Sequence, residues 1–125
     1  MDALGNSPDH AMTGNKAHRR AVANALNAIA PDKVLDVCCG DGWLVNGLAR
    51  PTVVDGIDFY ASAPQGYGLF VHADFNAGVP DQLGRYDAIV CCEAMGYLQN
   101  PGHFVQSVRR HLNPHGHFVL SVPNP

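Results

Sequence analysis

Acids set beside a glycine turn are the residues of this chain best suited to hold a ligand. In Val34-Leu35-Asp36-Val37-Cys38-Cys39-Gly40-Asp41-Gly42 an apolar run carries an acid and breaks into a tight turn, and a second apolar stretch (Trp43, Leu44, Val45, Leu48) follows. That is a strand feeding a helix through a loop whose backbone comes close to something. Glycine permits the approach because it lacks Cβ and tolerates φ > 0, and a helix start adds unpaired N–H groups and the positive end of its dipole. A second run, Val54-Asp55-Gly56-Ile57-Asp58, ends in an acid. Asp58 follows the turn by about 20 residues, a spacing at which a carboxylate accepts the hydrogen bonds of a ribose diol. The alternative for Asp58 is a cap on the next segment. The diol does not tell one nucleotide from another, but a dinucleotide loop wants G-x-G-x-x-G, and the first glycine and the third are missing here.

These residues need elements to position them, and the chain supplies an alternating set. Helical spacing over 15–29 puts Ala21, Val22, Ala25, Leu26 and Ile29 on one face, ended by Pro31. Strands are expected at 33–37, 52–57, 69–72, 86–92 and 117–122, and helices at 42–49 and 101–112. Residues 59–68 read as a loop or short helix, 76–84 as an irregular link, and Asn113-Pro114-His115-Gly116 as a turn. Strands alternating with helices imply an α/β fold with a parallel sheet. Near-continuous apolar runs such as Ala88-Ile89-Val90-Cys91 fit strands covered on both faces.

The chain has 125 residues, 46% hydrophobic and 15% charged, which bounds it to one globular domain. A net charge of −3 gives no basic footprint for nucleic acid. Lys16, His18, Arg19 and Arg20 read as a solvated helix face. No run reaches the ~20 apolar residues of a membrane span, and the polar residues 1–14 read as a flexible lead-in without a signal peptide, so a cytoplasmic protein is expected. Cys38-Cys39 and Cys91-Cys92 lack zinc-site spacing and read as small buried hydrophobes, with a thiol switch between them as the lesser alternative; no metal is expected. Trp43 reads as core rather than pocket wall.

The turn resembles the Asp/Glu-x-Gly-x-Gly-x-Gly fingerprint of class I S-adenosylmethionine-dependent methyltransferases, with Cys38 in place of the first glycine. A side chain there is tolerable if φ stays negative. Tyr86-Asp87-Ala88-Ile89-Val90-Cys91-Cys92-Glu93-Ala94-Met95-Gly96-Tyr97-Leu98-Gln99-Asn100-Pro101 is similar to F-D-x-I-x-x-x-E-x-L-E-H-L-x-x-P of the ubiquinone-biosynthesis-like group (types 11, 12 and 23). Leu112–Asn124 resembles that group's L-x-P-G-G-x-x-x-x-S-V-P-N ending.

The resemblance runs from Lys33 onward and implies a Rossmann-like parallel sheet with helices on both faces, S-adenosylmethionine as cofactor and a small-molecule acceptor. It implies that Gly40, Gly42 and the Cys38 backbone hold the methionine end, Asp36 orients its amino group, and Asp58 binds the ribose. Asp74 and the Phe75 backbone would take the adenine, with Cys92 and Glu93 beside the methyl group. The catalytic group is unassigned; His10, His18, His103 and Tyr97 are candidates for a base, should the acceptor need to lose a proton. Gly96-Tyr97 replaces the group's Glu-His pair, so neither of its roles is transferred. The fold is expected to lack the C-terminal antiparallel strands, which leaves the fifth strand an edge open to a second copy or a partner chain. A donor-binding but incomplete domain, a fragment or a partner-completed subunit, is therefore the alternative to a complete enzyme.

Overall fold

The computed structural model describes residues 16–59 and 62–122. The expected lead-in, with His10, lies outside them. In chain order the elements are α1 (Lys16–Ile29), β1 (Lys33–Val37), α2 (Trp43–Gly47), β2 (Val53–Asp58), β3 (Phe70–His72), β4 (Tyr86–Cys92), α3 (Pro101–Arg110) and β5 (Leu112–Ser121). Single 3-10 turns stand at Phe75–Ala77 and Met95–Tyr97. The strands form one sheet in the order β3-β2-β1-β4-β5, every neighbour parallel. The chain steps outward from β1 to β3, then returns to the other side of β1 for β4. The order reverses between β1 and β4, and open α/β sheets bind ligands at the carboxyl ends of such a reversal.

Both faces of the sheet are covered, because adjacent strand residues point to opposite sides. On one face Val22 and Leu26 of α1 and Leu44 of α2 pack on Val34, Val54, Ala88 and Val90. On the other, Phe104 and Val108 of α3 join Phe75, Val79 and Leu83 over Leu35, Val37, Ile57, Ile89 and Cys91. Phe104 stands edge-on to both Phe75 and Phe118. α3 starts where it does because Asn100 accepts from the His103 N–H at 3.1 Å and Pro101 suits the first turn. α1 stops at Ala30, whose φ of +53 leads into Pro31.

Two expectations change. The helix read over 42–49 is only Trp43–Gly47, so it supplies little dipole. β5 begins at Leu112 rather than 117: the expected turn is instead a bulge, Tyr86 facing Leu112 and Ala88 facing His117. The bulge has a left-handed residue, His115 (φ +64), and needs glycine at 116, where a Cβ would lie 2.8 Å from the Asn113 carbonyl oxygen. Of the two readings of the link between β2 and β3, the described part takes the loop, and Tyr67 packs against the core there.

Candidate ligand-binding edge of the sheet

The loop after β1 turns through three left-handed residues: Cys38 (φ +61), Gly40 (φ +56) and Gly42 (φ +82). Cys38 therefore does not keep the negative φ expected of a side-chain-bearing residue. The turn takes a glycine-type conformation regardless, because the Cys38 and Cys39 N–H groups both bond the Ile57 carbonyl, at 2.8 and 3.2 Å. Only glycine fits at 42, where a Cβ would run into Pro64 and lie 3.2 Å from the Tyr67 ring. At Gly40 a Cβ would meet nothing within 4 Å, so this backbone faces open space.

Asp58 ties the edge together. Its Oδ2 accepts from the Gly40 N–H at 2.9 Å, and its carbonyl accepts from Ala73 N at 3.2 Å. One residue thus links the β1 loop, the end of β2 and the end of β3. Next along the edge, Asp74 Oδ1 accepts from the Asn76 backbone at 2.9 Å and from its side-chain amide at 3.0 Å, capping the 3-10 turn. The Phe75 ring is buried in the core, leaving its backbone to any edge contact. On the far side of β1, Cys92 Sγ accepts from Ser121 Oγ at 3.2 Å. Glu93 follows in a left-handed conformation (φ +61), its N–H held by Ser121 O and Oγ at 2.9 and 3.1 Å. Gly40, Gly42, Asp58, Asp74 and Glu93 thus share the carboxyl edge.

Asp36 approaches from below. Its carboxylate is closed to solvent and accepts from Tyr67 OH at 2.5 Å. Burial pushes the carboxyl up to about 7; the Tyr67 bond opposes the rise, while Asp58 and Asp41 add to it. Tyr67 thus holds one oxygen of the Asp36 carboxylate. Burial, then the Asp36 charge, raises the Tyr67 hydroxyl as well. The sequence reading missed Tyr67; its signal was an aromatic residue between two glycines in a link lacking helical periodicity.

The basic face of α1 is not wholly solvated, as had been expected. Arg19 Nη1 lies 3.6 Å from Asp41 Oδ2, with its guanidinium 5.3 Å above the half-buried Trp43 ring. Trp43 packs against the core beneath α1, as expected, and also carries Arg19 over its ring. His18 Nδ1 lies 2.8 Å from Glu93 Oε1. His103 lies in the first turn of α3 and Tyr97 is 76% exposed.

The four cysteines are unbridged. Burial pushes the Cys38, Cys39 and Cys91 thiols up to about 12, so they stay protonated and pack as apolar groups. No group of three or more metal-ligating side chains forms among the described residues. Cavities of about 190 and 410 Å³ lie elsewhere, against Asp32, Asp87 and His117 and against Val45, Leu48 and Arg50. The carboxyl edge is defined by its hydrogen bonds and charges.

A parallel sheet of this order, with a left-handed glycine loop bonded to the acid of the neighbouring strand, is a nucleotide-binding α/β domain. The comparisons narrow that class. A family model described as a methyltransferase domain matches residues 10–125, and the chain belongs to this S-adenosylmethionine-dependent family. It is 31% identical over 114 residues to a ubiquinone biosynthesis O-methyltransferase of Alkalilimnicola ehrlichii, covering 82% of this chain and 46% of the relative. The relative of that name in Acinetobacter baumannii is 32% identical over 109 residues, covering 77% and 46%. The chain thus spans about half the length of these curated relatives. In fold it is similar to a Haloferax volcanii putative methyltransferase solved with its Trm112 activator (TM-score 0.68, 23% identity, covering 91% of this chain and 55% of that one). It is similar also to a Streptoalloteichus sugar N-methyltransferase (TM-score 0.65, 21% identity, covering 98% and 56%).

Proposed function

We propose that this chain binds S-adenosylmethionine along the carboxyl edge and directs its methyl group to a small-molecule acceptor. The observation that carries this reading is the Gly40 N–H···Asp58 bond beside the reversal of strand order. A carboxylate has about four lone-pair sites, so Asp58 can orient the loop and still accept from a ribose diol. The residues fit the donor in charge as well. Asp41, Asp58, Asp74 and Glu93 gather at an edge that would face a cationic ligand, and among the described residues nothing lies within 4 Å of a Cβ built on Gly40.

When bound, the donor supplies a methyl already activated on a sulfonium, so the protein's work is positioning and exclusion of water. Gly40 and Gly42 let the backbone approach the methionine end, Asp58 holds the ribose, and Asp74 with the Phe75 backbone borders the adenine. Cys92 and Glu93 flank the reacting end. Asp36 acts through the loop it supports rather than by direct contact, since Tyr67 holds its carboxylate. No described helix is long and apolar enough to cross a membrane, and we place the protein in the cytoplasm. The β5 edge, with Leu120 and Val122 exposed, would pair with a second copy.

Titration calorimetry with S-adenosylhomocysteine and with NAD tests the donor assignment. The chain should bind the former; a preference for NAD would overturn it. Asp58→Asn should weaken S-adenosylhomocysteine binding by roughly 1–3 kcal/mol, the range for a lost hydrogen bond to a charged group. Unchanged affinity removes Asp58 from the ribose site.

A further inference from the structure

Neighbouring side chains of α1 reach opposite lips of the edge: Arg19 meets Asp41 on the β1 side, and His18 meets Glu93 on the β4 side. The imidazole therefore lies where the strand order reverses. Glu93 is fixed there, in a left-handed backbone conformation with its N–H bonded to Ser121 O and Oγ. Its Oε1 is closed to solvent and receives no hydrogen bond of ordinary geometry, although His18 Nδ1 is 2.8 Å away. The two atoms are within hydrogen-bond distance, and a turn of the imidazole would aim an Nδ1–H at Oε1. A buried carboxylate oxygen in that state is costly unless a cation faces it. Protonation of His18 would create that cation.

We propose that His18 is the general base of the reaction and that Glu93 is its positioning residue, an inference that rests on the donor reading above. Glu93 favours the tautomer with hydrogen on Nδ1, which leaves the Nε2 lone pair as proton acceptor. As the acceptor's oxygen or nitrogen bonds to the methyl carbon, the carbon–sulfur bond breaks and its electron pair stays on sulfur. The acceptor's proton passes to Nε2, and Glu93 stabilises the resulting imidazolium.

The test is histidine-labelled NMR of the full chain, with His18 assigned through His18→Gln, in the presence of S-adenosylmethionine or S-adenosylhomocysteine. These ligands differ by one methyl and by the positive charge at sulfur. Both should bind, and His18→Gln should bind S-adenosylhomocysteine within about twofold of the parent. The nitrogen signals of the His18 ring should differ between the two complexes, because only one ligand places a positive charge beside the ring. In the free chain Glu93→Gln should lower the share of the tautomer with hydrogen on Nδ1, which the same signals report. Identical ring signals in the two complexes overturn the base assignment while the donor reading stands. An unchanged tautomer ratio in Glu93→Gln overturns the positioning assignment. If neither ligand binds, the donor reading fails and the base falls with it.

Discussion

Cys38 holds a backbone conformation that suits glycine, and its side chain packs against the core. These effects oppose one another. A left-handed non-glycine residue costs roughly 1–2 kcal/mol, and burial of a small thiol side chain returns about 1 kcal/mol. Cys38→Gly should therefore shift stability by less than about 1 kcal/mol. Cys38→Val puts a β-branched residue at positive φ and should destabilise by about 1–3 kcal/mol. Urea unfolding of both variants checks the contrast. Asp36 gives a pH dependence of definite sign. The folded chain keeps the Asp36 proton to about pH 7, whereas an ordinary aspartate, as in the unfolded chain, loses it near 3.8. Between those values the folded state binds more protons, so stability falls as pH rises and levels off above about 7. Asp36→Asn should flatten that slope and be the more stable form at pH ~8 by a few kcal/mol. A parent whose urea midpoint is level from pH ~5 to ~8 refutes this.

The elements show what was legible in the sequence and what was not. β1 and β4 fall on the expected residues, because apolar runs bounded by turns carry their own limits. The acid at the end of β2 also lies where its spacing from the loop placed it. What the sequence hid was set by contacts remote in the chain. The φ of Cys38 follows from two N–H groups seeking one Ile57 carbonyl. The Tyr67–Asp36 bond joins residues 31 apart, and no periodicity reports it. The start of β5 was misread because Asn113-Pro114-His115-Gly116 has turn chemistry, yet the bulge keeps both flanks in the ladder. Asp87 explains why: its Oδ1 accepts from Asn113 Nδ2 at 3.0 Å, and its Oδ2 from the Asp32 and Lys33 N–H groups at 3.1 and 3.0 Å. Gly116→Ala would push a methyl group against the Asn113 and Asp87 carbonyls and should cost about 1–3 kcal/mol. Thermal unfolding measures it, and a neutral result would mean that the bulge is free to move.

At the scale of the whole sheet, the described strands leave two unlike edges. β3 is three residues long, which blunts that side. β5 spans ten residues and leaves Leu120 43% exposed, with Val122 just beyond it 54% exposed. The second-copy proposal therefore predicts concentration-dependent association in sedimentation velocity, and Leu120→Lys should shift it toward monomer. A chain that sediments as monomer at all concentrations excludes pairing through this edge. Association unaffected by the lysine places the contact elsewhere.

The central strand also governs when the structure can form during synthesis. β1 leaves the ribosome early, but Val34 finds no neighbour on its second side until Ala88 has been made. A nascent chain released through β3 would hold three of the five strands, with unpaired backbone N–H and C=O groups exposed along β1. Such an intermediate should be open to protease and to chaperone capture, and emergence of β4 should end that vulnerability.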